Sequence, residues 1–524
     1  MSISQWKNVH GGYRKNQRID LINMFYNINI ASGKQSYRLM VVSLLLVFMI
    51  SHAWSQPLTM DSHNPHYFSF KGKPIFLITS DQHYGAVTNL DFDYNVFLDT
   101  LAKYGMNFTR IYPGAYIEKD GEYMPDNNLG ARNGRQILPW IKTKTPGANE
   151  VLGGYKLDLD KWNDDYFKRL KDFISKAQDR NIIVDIAFFN GMYPDRWAYQ
   201  AMYHTNNIQG VGTCTFNEVQ TLTDTALVRY HEAYVRKITE EVNQFDNVIL
   251  DICDEPFQDG CPPVMYNAWI SKLIDVIIWT EKTLPKKHLI AQTIDSHTRG
   301  GPGDFSDDDR VDVLMNEYTW GIANLDKEYI HNKPNVLIET SYYPVYDGDK
   351  IGASRVESWE YLVGGGAAFM QLNGLYSTFN SGAKGTENHI LLSQMKLLKS
   401  FMESIDYIRM KQDTAFIGNR IPAGAFARSI SEPGKQYALY IHHSVYGCWF
   451  WEPMQMGSCY KVVSGNYQEN LILNFDKGTY LAEWINPSTG KVISSEKFIY
   501  NGGKSIIKTP HYEVDLALRM RSIE

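Results

Sequence analysis

Apolar positions follow two alternating patterns between about residue 75 and residue 405. Short runs of apolar and β-branched residues favour strands buried on both faces, and apolar residues spaced by three and four favour helices packed on such a sheet. Strands are predicted at 75–79, 106–112, 182–189, 247–254, 288–294, 311–315, 335–338 and 367–371. Helices are predicted at 93–104, 166–177, 225–245, 269–280 and 387–405, whereas 295–310 carries no convincing helix.

The order of these elements predicts an α/β fold. Eight buried strands alternating with helices argue for a (β/α)8 TIM barrel over residues 57–405. A doubly wound open sheet is the alternative, but no Gly-x-Gly-x-x-Gly turn follows any strand. A hairpin around residues 71–74 is predicted before the first strand. The stretch that follows the second strand (106–112) and extends to residue 160 is rich in Gly, Pro and Asn and is predicted to be a long functional loop.

The pattern of apolar and polar residues changes at about residue 406, where the helical spacing of apolar residues ends. Short alternating runs such as 436–441 and 479–485 are separated by turn residues, as at 486–490. This pattern is typical of antiparallel strands. Residues 406–524 are therefore predicted to form a small antiparallel β-sandwich domain.

The segment 1–56 is predicted to be a leader that contains a signal peptide. An apolar stretch at 39–54 follows Lys34 and Arg38, and Ala53-Trp54-Ser55 resembles a cleavage site that would leave Gln56 first. An uncleaved membrane anchor is the alternative, although a span usually needs about 20 apolar residues. The polar residues before Lys34 are unusual for a signal, so Met24 or Met40 is an alternative start. The expected location is the periplasm, the cell surface or the medium.

Composition narrows the class of partner. The formal net charge is -6, and no basic face for nucleic acid is indicated. None of the five cysteines follows the CxxC spacing of a zinc site, and no metal or cofactor is predicted. Cys448 and Cys459 are the expected pair if an exported chain forms a disulfide. A monomer is expected, with no membrane partner beyond the export signal.

Polar residues end most of the predicted strands. In a barrel of this kind, chemistry occurs at the C-terminal strand ends. Those ends carry Asp81, His83, Arg110, Asn190, Asp254, Glu255, Asp295, His297, Asn316, Glu317, Tyr318, Glu339, Gln371 and Asn373. Glu255 and Glu339 end the fourth and seventh strands, which stand roughly opposite one another across a barrel mouth. Two opposed carboxylates are what glycoside cleavage requires, one as proton donor and the other as nucleophile.

These residues resemble the retaining (β/α)8 glycosidases of clan A, the cellulase-like, family 5-like group. Asp254-Glu255-Pro256 matches the group's Asn-Glu-Pro motif, and Ile338-Glu339-Thr340 matches the end of its seventh strand. Gly105-Met106-Asn107-Phe108-Thr109-Arg110 matches its second strand, and the segment 478–490 resembles the β-domain often appended to bacterial members. The resemblance covers nearly all of the chain after the leader.

The resemblance implies an enzyme that cleaves glycosidic bonds in a polysaccharide or oligosaccharide with retention of configuration. Glu255 would be the acid/base and Glu339 the nucleophile, with Glu317 as the rival nucleophile. Arg110 would support the nucleophile and Tyr318 would hydrogen-bond it. His83, Asn190, Asp254 and Asn373 are further candidate sugar ligands, and Tyr193, Trp197 and Trp320 are candidate stacking platforms.

One position departs from the pattern, because Asp254 replaces the motif's asparagine. An ionised carboxylate cannot donate a hydrogen bond to a sugar hydroxyl. Asp254 would instead accept a hydroxyl proton, raise the pKa of Glu255 or alter the sugar preference. Two alternatives stay open: a carbohydrate-binding barrel that has lost its chemistry, and a metal-dependent hydrolase that uses Asp81, His83, Asp295 and His297.

Overall fold

The computed structural model describes residues 56–81, 84–122, 127–256, 261–296, 305–317, 323–340, 349–372, 374–447 and 459–523. It begins with a small antiparallel sheet of β1 (Thr59–Met60), β2 (Phe68–Phe70) and β3 (Lys73–Ile75). Lys71 and Gly72 make the tight turn between β2 and β3 with φ of 52° and 74°. The predicted hairpin is thus confirmed. The predicted strand 75–79 is divided, because Ile75 ends β3 of this small sheet and Leu77 begins a strand of the parallel sheet.

A parallel sheet of eight strands forms the centre of the molecule and confirms the predicted barrel. Its order along the sheet is β4-β13-β12-β11-β10-β9-β8-β5. Its eight strands are β4 (Leu77–Asp81), β5 (Phe108–Ile111), β8 (Ile183–Asn190), β9 (Val248–Asp254), β10 (Leu289–Ser296), β11 (Val313–Glu317), β12 (Asn335–Thr340) and β13 (Ala368–Leu372). Between β5 and β8 in the chain, β6 (Trp140–Pro146) and β7 (Tyr155–Trp162) form a separate antiparallel pair. Every described residue of β5, β8, β9 and β13 is buried, which explains why these strands are mostly apolar.

Asn107 spans the seam between β4 and β5, the two ends of this sheet. Its main-chain N–H donates to the carbonyl of Ile78 at 3.2 Å. Its side-chain Oδ1 accepts from the Ile78 N–H at 2.9 Å, and its Nδ2 donates to the Phe76 carbonyl at 2.9 Å. One side chain therefore satisfies backbone groups that a further ladder would otherwise pair.

Seven α-helices lie in the described part of the chain. They are α1 (Tyr94–Lys103), α2 (Asp164–Asp179), α3 (Thr225–Val242), α4 (Pro263–Glu281), α5 (Ala323–Glu328), α6 (Lys350–Val363) and α7 (Thr386–Glu403). Side-chain caps start four of them, as where Asp93 accepts from the N–H groups of Asn95 and Val96. Gly105, with φ of 75°, follows the last residues of α1 and ends the helix.

The C-terminal residues form two antiparallel sheets, which confirms the predicted β-sandwich. The larger sheet has the order β14-β15-β16-β22-β19-β20 with β17 paired to β16, and β18 pairs with β21. The strands are β14 (Lys411–Gln412), β15 (Ala425–Glu432), β16 (Gln436–Gly447), β17 (Cys459–Val462), β18 (Asn470–Leu473), β19 (Gly478–Ile485), β20 (Val492–Tyr500), β21 (Ser505–Lys508) and β22 (Asp515–Ser522). A separate apolar core, which includes Tyr437, Leu471 and Leu518, joins the two sheets.

The β-domain and the barrel share a buried interface along α6. The rings of Trp359 and Tyr440 stack with centroids 5.5 Å apart. Arg355 forms an ion pair of 2.7 Å with Asp515, and the Tyr440 hydroxyl donates to the same carboxylate at 2.8 Å. These contacts lie on the face of β16 opposite to the sandwich core, so the β-domain covers a helix of the barrel.

Candidate active site

The C-terminal ends of the parallel strands place several predicted residues at one rim of the barrel. Arg110 lies on β5 and Asn190 ends β8, whereas Glu317 and Glu339 lie at the ends of β11 and β12. Asp254 ends β9, and Glu255 follows it directly. The strand order puts β5, β8 and β9 side by side, with β10, β11 and β12 continuing the ring.

Arg110 is the centre of a buried network of ionic contacts. Its side chain is completely buried, and its Nε lies 2.8 Å from Asp185. One terminal nitrogen donates to Asp254 at 2.6 Å and the other donates to Asp251. Three aspartates of neighbouring strands therefore share one cation in a region without solvent, where an unpaired charge is costly. Burial raises the pKa of Asp251 to about 6 despite the opposing effect of Arg110.

Asp254 belongs to this network. Its Oδ1 accepts from Arg110, and its Oδ2 accepts from the phenol of Tyr112. Burial alone would raise the pKa of Asp254, but Arg110, with hydrogen bonds from Glu317, Tyr112 and Arg110 itself, holds that pKa below its ordinary value. Asp254 is therefore an ionised residue beneath the rim, fully buried and bound on both oxygens.

Glu255 is less buried than Asp254 and has a left-handed backbone with φ of 44°. Its N–H donates to Glu317 Oε1 at 3.1 Å, and its side-chain Oε2 accepts from the phenol of Tyr193. Residues other than glycine seldom adopt this conformation, which costs on the order of 1–3 kcal/mol and persists only where the surrounding structure imposes it. The backbone thus turns sharply where the strand ends.

Glu339 has the same unusual backbone, with φ of 50°. The pairing of β12 with β13 shifts register between Leu337 and Thr340, so Glu339 lies in a bulge. Its carboxylate adds to the effect of burial in raising the pKa of the Tyr84 and Tyr112 phenols. Bulges recur beside active sites, where they redirect a side chain.

Glu317 lies among these carboxyl groups. Burial raises its pKa well above the ordinary value, and the charges of Asp254, Glu339 and Glu255 raise it further. Glu317 is thus within electrostatic reach of both Glu255 and Glu339. Glu255 and Glu339, which are remote in sequence, therefore lie on either side of Glu317 in strand order, and both are near enough to raise its pKa.

The remaining candidates fall into two groups. Asn190 donates to the Tyr112 hydroxyl at 3.0 Å, and its Oδ1 has no donor among the described residues. Trp197 is buried and donates to the carbonyl of Cys214 at 2.9 Å, which does not fit the stacking role predicted for it. His83, Tyr318, Trp320 and Asn373 lie outside the described residues, as does Cys448.

Three residues of the site were not predicted, namely Tyr112, Asp185 and Asp251, and Tyr193, predicted as a stacking platform, instead donates a hydrogen bond to Glu255. The two aspartates carried a usable signal, because each interrupts an otherwise apolar strand. A carboxylate in the middle of a buried strand requires a buried cation or donor. Arg110, at the corresponding position of the adjacent strand, is that cation: its Cα pairs with that of Asp185 in the sheet.

Within the described ranges, no group of three or more His, Cys, Asp and Glu side chains could hold a metal ion. The imidazoles of the proposed metal-dependent alternative, His83 and His297, lie outside those ranges. No helix of the described residues is long and apolar enough to cross a membrane.

Searches for similar proteins gave different results for sequence and structure. No family model and no curated protein matched the sequence. A solved structure named glycoside hydrolase superposes with a TM-score of 0.55 and 13% identity, covering 89% of this chain and 97% of the other. A glycoside hydrolase family 5 protein from Bacteroides vulgatus ATCC 8482 has a TM-score of 0.54 and 13% identity, covering 89% and 93%. The chain therefore has the fold of these glycoside hydrolases, a (β/α)8 barrel followed by a β-domain.

Proposed function

We propose that this protein is an exported glycoside hydrolase that cleaves a polysaccharide or oligosaccharide with retention of configuration. Glu255 is the acid/base and Glu339 is the nucleophile. The observation that supports the proposal is that both carboxyl groups stand at strand ends on the same rim, each in a left-handed backbone conformation and each near enough to Glu317 to raise its pKa. The two solved structures described above bear the names of glycoside hydrolases, which supports the same class of chemistry.

The reaction proceeds in two displacements. Glu255 first gives its proton to the glycosidic oxygen while a carboxylate oxygen of Glu339 bonds to the anomeric carbon, and the bond to the leaving group breaks. Glu255 then takes a proton from a water molecule whose oxygen attacks the anomeric carbon, and the bond to Glu339 breaks. Each catalytic group returns to its starting state. The two inversions at the anomeric carbon give a product with retained configuration.

The contacts at the rim suit these roles. Tyr193 donates to Glu255 and holds its carboxyl group in one orientation. Glu317 is fully buried, and its Oε1 accepts from the Glu255 N–H and from Thr293. Glu317 has no exposed surface, whereas 6% of Glu339 is exposed, and this difference supports Glu339 over Glu317 as the nucleophile that reaches the sugar.

The catalytic roles are tested with a panel of 4-nitrophenyl α- and β-glycosides. Glu339→Gln and Glu255→Gln should each reduce turnover strongly, since general acid catalysis alone contributes about 10²–10⁴-fold. The matched control is Glu496→Gln, the same change at an exposed residue of β20, and it should retain wild-type turnover.

Azide distinguishes the two roles. It replaces water as the attacking nucleophile without needing a base, so it should restore turnover of Glu255→Ala and yield a glycosyl azide of retained configuration. Wild-type turnover in both glutamine variants would refute the proposal. Glycan binding with no turnover of any glycoside by the wild-type chain would favour the carbohydrate-binding alternative.

Export is tested separately. Cells that express the whole chain should release, or hold outside the inner membrane, a protein that begins at Gln56. A protein that retains residues 1–55 and stays in the cytoplasm would contradict this part of the proposal.

A further inference from the structure

Glu317 is the buried carboxyl group that the proposed mechanism does not use. Its two oxygens have different surroundings. Oε1 accepts from the Glu255 N–H at 3.1 Å and from the Thr293 hydroxyl at 3.0 Å. Oε2 is buried and receives no hydrogen bond from any donor among the described residues.

The unbonded oxygen has a clear explanation if it carries a proton. The Glu317 and Asp254 carboxyl groups lie close enough to share a hydrogen bond, and such a bond requires a proton on one of them. Asp254 already accepts from Arg110 and Tyr112, which both favour its ionised form. The proton therefore belongs on Glu317 Oε2, and Asp254 is its acceptor.

We propose that Glu317 is a neutral carboxylic acid that positions the acid/base residue. Its Oε2–H donates to Asp254 and so fixes the carboxyl plane, while its Oε1 holds the N–H of Glu255 in the left-handed turn. The inference rests on the proposed role of Glu255, and it assigns to Glu317 a positioning role without contact with substrate.

The charges around Glu317 agree with a neutral state. Asp254 and Glu255 face it from β9 and its end, and Glu339 faces it from β12. Cys253 on β9 and Tyr266 on α4 also lie within its electrostatic reach, and burial raises the pKa of both groups well above ordinary values. The cation beside this group of neighbours is Arg110, and it is already paired with Asp254 rather than with Glu317. An ionised Glu317 would therefore face three carboxyl groups without a cation of its own.

Two substitutions separate a neutral acid from an ionised one. Glu317→Gln keeps the size, the acceptor oxygen and a donor toward Asp254, so kcat/KM should stay within about threefold of wild type, below 1 kcal/mol. Glu317→Met removes both hydrogen bonds and should lower kcat by about 10²-fold with little change in KM, since misplacing a catalytic group by about 1 Å has that effect. Asp312→Asn, a carboxyl-to-amide change just before β11, is the control.

An infrared difference spectrum of wild type against Glu317→Gln reads the proton without using activity. At pH 7 the difference spectrum should contain a carbonyl band of a protonated carboxylic acid that the wild-type chain has and Glu317→Gln lacks, whereas the bands of other neutral carboxyl groups, such as Glu118, cancel. The control variant should keep the band. A spectrum in which Glu317→Gln loses only carboxylate absorption would overturn the inference.

Turnover and the infrared band together separate the positioning role of Glu317 from the proposed glycosidase function. If Glu317→Gln loses as much turnover as Glu339→Gln, the positioning role is wrong while the glycosidase function stands. If Glu255→Gln and Glu339→Gln both keep full turnover, the proposed function is wrong, and the infrared band still decides the protonation of Glu317.

Discussion

Removal of Arg110 is the sharpest test of the buried network beneath the rim. In Arg110→Met the side chain keeps much of its length but loses the charge. Asp185, Asp251 and Asp254 then remain buried without their shared cation. Breaking one buried ion pair by removal of a single partner costs about 3–5 kcal/mol, so at least this loss of unfolding free energy is expected at pH 8.

The loss should depend on pH with a definite sign. In wild type, Arg110 holds the pKa of Asp254 below its ordinary value, so Asp254 stabilises the fold above that value and the contribution disappears as pH falls. Without Arg110, burial alone raises the pKa of the aspartates, and stability then falls as pH rises. The destabilisation of Arg110→Met should therefore be smaller at pH 5 than at pH 8.

Guanidinium chloride unfolding followed by tryptophan fluorescence and circular dichroism measures the difference. Arg132→Met is the matched control, because Arg132 is 58% exposed and pairs with Asp91 at the surface, a contact worth about 0–1 kcal/mol. An Arg110→Met variant that loses no more than Arg132→Met, or loses the same amount at both pH values, would refute the account of the network.

Two further predictions concern the fold. Asn107→Ala removes both side-chain hydrogen bonds across the barrel seam and should lower the unfolding free energy by about 1–3 kcal/mol in denaturant unfolding, whereas the exposed Asn133→Ala should not. Burial raises the pKa of Glu118 to about 8, so its stabilising contribution is complete below pH 4.5 and falls by up to about 1.4 kcal/mol per pH unit toward pH 8. Glu118→Gln should flatten the stability profile in that window, and a profile as steep as that of wild type would contradict the burial of this carboxyl group.

The barrel strands could be predicted from sequence because burial on both faces leaves continuous apolar runs. The pattern of burial also explains why helix α6 and the hairpin of β6 and β7 were not predicted. Helix α6 is buried at every position from Gly352 to Val363, including the charged Arg355, Glu357 and Glu360, so its polar residues do not mark a solvent face and no apolar stripe stands out in the sequence. The hairpin of β6 and β7 lies in the stretch predicted as a loop, because most of β6 after Trp140 is exposed and polar.

The candidate site could be predicted only in part. The carboxyl groups at the ends of β9 and β12 follow from the strand pattern and the resemblance. Their convergence depends on left-handed backbone at Glu255 and Glu339, and a sequence without glycine at those positions gives no sign of it. The position of Asp254 differs from the sugar contact expected from the motif, because Arg110 and Tyr112 occupy its oxygens.

The central claim is that Glu339 forms a covalent bond to the sugar. The direct measurement uses a 2-deoxy-2-fluoro glycoside with a dinitrophenyl leaving group, built on whichever sugar the aryl glycoside panel identifies, followed by proteolysis and mass spectrometry. We expect one sugar bound per chain, attached to Glu339, with the wild-type chain labelled and Glu339→Gln unlabelled. A sugar attached to Glu317, or rapid hydrolysis with inversion and no covalent adduct, would contradict it.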